Sequence, residues 1–514
     1  MNSPPPVSNP PASPAAGQGL SALRVGIDTY LESVVYVSRD CPAGRLGGIQ
    51  AQSRVLVRNG RRGIVATLNV VSGSWLPAQA AGLSEAAWQR LGAREGEAVF
   101  LSHAPPAQSA SDLRAKVYGH RLDRLQYERL LNEAVSGCLS DIQLAAFVTA
   151  CAAPQFDIDE NIMLTQAMVA VGQRLRWPAL RVVDKHCVGG LPGNRTSPIV
   201  VAIVAAAGDL IPKTSSRAIT SPAGTADTMA TLTEVDLDLA AMRRVVEREN
   251  GCLVWGGSVG LSPADDVLIR VERPLDFDSD AQLTASVLSK KLAAGSTHVL
   301  IDIPVGPTSK VRTAAAAAAL NQRLQAVAEA TGLQIRTEMT DGLMPVGRGI
   351  GPALEALDVL AVLRNAPDAP ADLRARALHL SARVLDFDPA RQGSGLHTAV
   401  QLLDSGAAWA KVQAICIAQG GMREPPSALQ RCEVVAQSAG TVTAMDNRRL
   451  ARLAKIAGAP RAVAAGLQLH VAIGATVAAS QPLLTLHADS VEEIANARGY
   501  FQQQADMICI EAPP

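Results

Sequence analysis

The residues best suited to chemistry lie between 184 and 229, in DKHCVGGLPGNRTSPIVVAIVAAAGDLIPKTSSRAITSPAGTADTM. Lys185 and His186 are adjacent, Gly189, Gly190 and Gly193 follow, and Arg195 precedes Thr196-Ser197-Pro198. A second loop, 214–225, adds hydroxyl side chains, Arg217 and Gly224. Cations, hydroxyl donors and glycines that admit a ligand to the main chain suit one task, holding an anion. Phosphate is the natural candidate.

Such groups need a scaffold that makes them converge. The β-branched run 181–183 predicts a strand ending at Asp184, followed by a glycine loop and a helix opening at Thr196-Ser197-Pro198. Hydroxyls ahead of a proline mark a helix start, and a helix N-terminus favours negative charge. Further on, strands at 299–303 and 334–338 alternate with helices at 313–330 and after Pro352, the pattern of a largely parallel sheet covered by helices. Upstream, residues 1–20 carry six prolines and read as a disordered tail. Runs at 34–37, 55–57 and 64–67 predict a small β-rich domain over 21–105, then a linker. Ser140 and Gln143 fit a capping box, and Asp159 is placed at the start of another helix reaching Gly172. Beyond Arg431 short Gly, Val and Ala runs return. Gly347–Gly351 reads as a turn into a helix rather than a dinucleotide fingerprint, lacking the acidic residue such a site needs. A biotin or lipoyl carrier is excluded because Asp446, where a modifiable lysine is needed, follows Met445.

The motifs DKHCVGG, NRTS, KTSSRAIT and AGTADTM resemble those of the thymidine and pyrimidine-nucleoside phosphorylase family, in the branch that includes the AMP phosphorylases. The resemblance runs from about Leu122 to the C-terminus. It implies an α/β fold: a small helical domain (112–178, rejoined by about 262–293), a large mixed α/β phosphate-binding domain (179–430) and a C-terminal α+β domain (431–514). The N-terminal β-rich domain is implied to be of the kind that AMP phosphorylases carry.

Residue by residue, the family's phosphate contacts fall on Lys185, Ser197, Ser215 and Thr225, with Gly190 in the glycine loop. A further family serine is Cys187 here, and a thiol is a poor donor to phosphate. The base-binding Ser-x-x-x-Lys unit falls on Ser286 and Lys290, which share a helix face at i,i+4. Arg270 matches the family's pyrimidine-binding arginine with a one-residue shift, with Arg273 competing. His186 is one candidate proton donor to the leaving base, and Asp278 is the other, aligned with the AMP branch; Lys310 aligns with a ligand contact there. Ser216, Arg217, Thr220 and Ser221 could supply a second anion pocket for a 5′-phosphate. Both thymidine and AMP therefore stand as substrates. No cofactor or metal is implied, inorganic phosphate being a co-substrate, and the expected assembly is a homodimer closing its site between two lobes.

Composition narrows the classes. Lys+Arg and Asp+Glu are each 47, so no global charge excess points to nucleic acid or an acidic membrane. Aromatics at 3% give few stacking platforms. Eight cysteines show no metal-like spacing and read as reduced thiols. No apolar run is long enough to span a membrane and no basic residue precedes Arg24, which reads as neither signal nor transit peptide. The expectation is a cytoplasmic enzyme acting on small molecules. A phosphoribosyltransferase of the anthranilate type would need an acidic Mg²⁺-binding cluster that has no match here. A catalytically idle nucleotide-binding protein is the alternative that Cys187 and Ala230 would favour.

Overall fold

The computed structural model describes residues 19–41, 50–60, 62–218, 221–275 and 279–512. The chain forms two compact units, one comprising 1–172 and 263–282 and the other 173–262 and 283–514.

The first unit begins with β1 (Leu20–Arg24), β2 (Val34–Ser38), β3 (Arg54–Arg58), β4 (Gly63–Val71), β5 (Ala80–Leu83), α1 (Glu85–Leu91) and β6 (Ala98–His103). The strands close into a barrel in the order β1-β5-β2-β4-β3-β6. Alternate residues such as Val55 and Val57 point into its core. Leu20 is paired with Val99, so the barrel starts inside the segment read as a tail, whose residues 1–18 lie outside the described residues. Four helices follow: α2 (Ala110–Val117), α3 (Arg124–Val135), α4 (Asp141–Cys151) and α5 (Ile158–Ala170). The Ser140/Gln143 capping box opens α4. Asp157, not Asp159, caps α5: its carboxylate accepts the Glu160 N–H, leaving Asp159 inside the first turn. The buried Lys116 bonds Glu160 at 2.7 and 2.8 Å, and Tyr127 donates to the same carboxylate at 2.7 Å.

The second unit carries β7 (Val183–Cys187), α6 (Thr196–Ala206), β8 (Ile211–Ser215), α7 (Thr225–Ala230), α8 (Leu239–Glu249), β9 (Gly251–Trp255) and α9 (Gly256–Val259). The chain then returns to the first unit with α10 (Pro263–Leu275), and α11 (Asp280–Ala293) carries it back out. That return covers 263–282, shorter than the 262–293 expected, so most of α11 belongs with the α/β residues. β10 (His298–Val305), α12 (Ala314–Thr331) and β11 (Gln334–Asp341) complete a parallel sheet ordered β11-β10-β7. A parallel bridge at Val182/Leu210 links β7 to the β8-β9 pair.

Two boundaries differ from the sequence reading. The strand starts at Val183 and runs on through Lys185 and His186, because both pair with β10 opposite Leu300 and Ile301. Pro198 is the third residue of α6 rather than the first, and Arg195 occupies the cap without a side-chain cap bond. Every residue from Thr196 to Ala205 is buried, as expected of a helix apolar on all sides within a core.

The chain continues through β12 (Gly349–Ile350), α13 (Pro352–Leu363), α14 (Ala371–Leu385), α15 (Gly395–Asp404) and α16 (Ala407–Ala418), of which the helices pack around α6. The remainder holds β13 (Gln430–Val435), β14 (Gly440–Met445), α17 (Asn447–Ile456), β15 (Gly466–Leu469), β16 (Thr476–Val477), β17 (Pro482–Ala488), α18 (Val491–Gln503) and β18 (Ile508–Glu511). Its strands form the sheets β12-β15-β17-β13 and β16-β14-β18. Gly349 and Ile350 pair with Gln468 and Leu467, so the glycine-rich turn ahead of α13 doubles as a short edge strand.

Candidate active site

Charge is concentrated at the end of β7. Asp184 is fully buried; its carboxylate meets Lys291 at 2.7 Å and Lys213 at 3.3 Å and accepts the Lys185 N–H at 2.7 Å. Burial alone would raise that carboxyl, but Lys213, Lys291 and the Lys185 N–H together hold it below the usual carboxylate range. Lys213, on β8, also donates to the Lys185 carbonyl at 2.6 Å. Lys185 points its ammonium at the Thr196 hydroxyl, 2.8 Å away, and at buried Asp302, 3.4 Å away. Burial lowers the Lys213 ammonium, as does crowding by Lys291 and Lys185, while Asp184 opposes both.

His186 sits half-buried in this field. Burial lowers its imidazole, and Lys291, Lys213, Lys290 and Lys185 push it further, well below its ordinary value of 6.5. The ring is therefore neutral at pH 7 while no anion is bound. Lys185, Lys213 and Lys291 thus gather around the two carboxylates of Asp184 and Asp302, with His186 among them.

Hydroxyls flank the cluster. Ser197 lies in the first turn of α6, where the Thr196 N–H already donates to Asn194 at 2.8 Å and Pro198 has no N–H. The helix terminus is thus a thinner cradle than its sequence implies, with Ser197 as its principal donor. Ser215 ends β8, two residues past Lys213, and its buried hydroxyl has no hydrogen-bond partner among the described residues. Thr225 opens α7 and accepts a 2.8 Å bond from Arg195. Arg195 also bonds Glu355 at 2.6 Å through Nε and the Ala223 carbonyl at 2.9 Å. Burial raises the Glu355 carboxyl to about 7 against the pull of Arg195 and the Gly351 N–H. Cys187 is pushed up to about 12 by burial and receives the Asn194 amide at 3.5 Å.

The glycine loop is fixed by close approach. At Gly190, φ is +82° and a Cβ would fall 2.3 Å from the Lys310 backbone nitrogen. This places the segment carrying Lys310 directly against the loop.

Lys185 thus meets Thr196 beside Ser197, Arg195 reaches Thr225, Ser215 ends the strand that carries Lys213, and Lys185 and Lys290 both act electrostatically on His186. Ser286 lies one turn before Lys290 on α11, where its carbonyl accepts the Ser289 hydroxyl at 3.3 Å. Arg217 is already engaged: it bonds Asp236 at 3.0 Å and Asp227 at 3.4 Å and stacks 4.9 Å from the Trp255 ring. Asp227 in turn accepts the Ala218 and Gly224 N–H groups, ordering the second loop from within, and the Ser221 hydroxyl donates to Ala223. The Ser216 carbonyl accepts the Ala226 N–H at 3.3 Å and contributes to the same loop. Arg270 belongs to the first unit, where it pairs with Asp141 at 2.6 Å. Asp278 and Thr220 lie outside the described residues. Among the described residues no group of three potential metal-ligating side chains occurs, and no helix is long and apolar enough to cross a membrane.

Sequence reasoning missed Lys213, Lys291, Asp184, Asp302 and Glu355. The doubled lysine at 290–291 and the lysine just before Thr214-Ser215 were available signals for two of them.

A helical segment and a parallel α/β unit are the two parts of a glycosyl transferase family to which this chain belongs. The description "Glycosyl transferase family, helical bundle domain" matches residues 112–172, and "Glycosyl transferase family, a/b domain" matches residues 179–409. Within it, the chain belongs to the thymidine phosphorylase family. It is 59% identical over 483 residues to "Putative thymidine phosphorylase 2" of Acidovorax sp. (strain JS42), covering 94% of each chain. It is 58% identical to "Putative thymidine phosphorylase" of Polaromonas sp. (strain JS666 / ATCC BAA-500), covering 97% of this chain and 98% of that one. It is 52% identical to "Putative thymidine phosphorylase" of Hahella chejuensis (strain KCTC 2396), covering 95% and 97%.

Proposed function

We propose that the chain catalyses phosphorolysis of thymidine, converting thymidine and phosphate to thymine and 2-deoxy-α-D-ribose 1-phosphate. The observation that carries this reading is the cluster of four lysines around His186, with the Ser215 hydroxyl, which has no hydrogen-bond partner among the described residues, on the strand that also bears Lys213. In the reaction a phosphate oxygen bonds to the anomeric carbon as the bond to the base nitrogen breaks, its electron pair leaving with the pyrimidine. The sugar becomes oxocarbenium-like on the way, and a phosphate held beneath it stabilises that charge. Lys185, Ser197, Ser215 and Thr225 hold the phosphate, with Gly190 keeping the loop close. Ser286 and Lys290 bind the pyrimidine, and the ammonium offsets the negative charge the departing base acquires. A neutral His186 serves as a hydrogen-bond donor to the base carbonyl, while Asp278 stands as the alternative source of a proton. The reaction involves no net oxidation and needs no redox cofactor.

The AMP reading calls for a second pocket for the 5′-phosphate. Its proposed cation, Arg217, faces Asp227 and Asp236, which would meet that phosphate with like charge. This favours thymidine. The reading further implies a cytoplasmic homodimer with no nucleic-acid or membrane partner.

The test is to incubate thymidine with the protein in phosphate-free buffer and then add phosphate. Release of thymine only after the addition is expected, and equal release in both conditions would overturn the mechanism. If kcat/KM for AMP exceeds that for thymidine by more than about tenfold, roughly 1.4 kcal/mol of transition-state preference, the substrate assignment fails while the mechanism stands.

A further inference from the structure

Arg195 looks at first like one more cation for phosphate, yet its hydrogen bonds are already directed elsewhere. Nε donates to Glu355 at 2.6 Å, Nη1 to the Thr225 hydroxyl at 2.8 Å and Nη2 to the Ala223 carbonyl at 2.9 Å, while Nη2 also lies 2.5 Å from the Glu355 carboxylate as an ion pair. Glu355 is buried and anchored at its other oxygen by the Gly351 N–H at 3.1 Å. The Thr228 hydroxyl lies 3.5 Å from the same carboxylate. One guanidinium thus ties the cap of α6 to the first turn of α7 and to α13.

The consequence for Thr225 is specific. A hydroxyl has one proton to donate and two lone pairs to accept. By occupying a lone pair, Arg195 leaves the Thr225 proton free for an acceptor elsewhere, and donation from a charged group polarises the O–H and strengthens that outgoing bond. We propose that Arg195, braced by Glu355, is a positioning residue that aims the Thr225 hydroxyl at the bound phosphate without touching phosphate itself. The proposal rests on the phosphorolysis reading and adds to it a residue that acts only through Thr225.

The test is a double-mutant cycle on the full chain, with kcat and phosphate KM measured at saturating thymidine and inorganic phosphate binding measured by calorimetry. Arg195→Ala should raise the phosphate KM about tenfold, the scale of one charge-assisted hydrogen bond, with kcat changed by less than about threefold. Arg195→Ala/Thr225→Ala should be no worse than Thr225→Ala alone, because the arginine acts through the hydroxyl. Arg195→Lys should recover part of the loss. Additive effects in the double variant, or an unchanged phosphate KM in Arg195→Ala, would overturn the proposal. If Arg195→Ala does not fold, Glu355→Gln carries the same comparison with Thr225→Ala at constant side-chain volume. Should the wild type cleave thymidine without phosphate, the phosphorolysis reading fails by itself, and the calorimetric cycle still decides whether Arg195 and Thr225 act as one unit.

Discussion

His186 illustrates how far a side chain's behaviour departs from its type. An unperturbed imidazole titrates near neutrality and suits acid–base work. Here burial and four surrounding lysines hold it well below that value, which favours the neutral ring at pH 7. The sign follows directly. A histidine whose folded pKa is depressed takes up its proton more readily when unfolded, so it costs stability as pH falls below the unfolded value near 6.5. We expect imidazole NMR of the phosphate-free protein to show His186 neutral from pH 8 down past pH 6, and added phosphate to raise its pKa. A value at or above 6.5 without phosphate would contradict the electrostatics of the cluster.

At the scale of elements, the glycine loop between β7 and α6 is held by contact as much as by ligand chemistry. Gly190 combines a φ of +82° with a path that would put a Cβ 2.3 Å from Lys310 N. Gly190→Ala should therefore cost on the order of 1–3 kcal/mol of stability and shift the Lys310 segment. Chemical denaturation would measure the first effect, and an unchanged midpoint would mean that the segment gives way freely. The same region shows what was legible in advance. Glycines, hydroxyls and the apolar run of α6 announce a strand, loop and buried helix because each reflects a local backbone preference or burial. Where β7 ends was not legible, since Lys185 and His186 have no strand propensity and become strand only by pairing with Leu300 and Ile301. Lys213 and Lys291 stood in view beside residues already singled out, but what they do was not legible, for a related reason. Their role depends on Asp184, which is far from both in sequence and is reached only through the fold.

For the molecule as a whole, formal charge is zero while the site is locally cationic. A ligand of opposite sign that binds only the folded state must stabilise the chain by mass action. Inorganic phosphate at a hundred times its Kd should add about 2.7 kcal/mol, read as a rise in Tm, while equal ionic strength of chloride should not. A Tm indifferent to phosphate would remove the basis for an anion site. The division into two units matters here, because every described side chain assigned to phosphate lies in the second, so the rise should track unfolding of that unit.

Asp184 holds a last consequence, for anyone reading phenotypes. It touches no substrate in the proposed reaction, yet Lys213 and Lys291 both rest on its carboxylate at the base of the site. Replacing it would leave buried ammonium groups facing one another, a fault of several kcal/mol in the framework. A saturation screen scored only by growth on thymidine would rank position 184 with the substrate contacts, and only abundance measured alongside activity would separate a missing foundation from a missing tool.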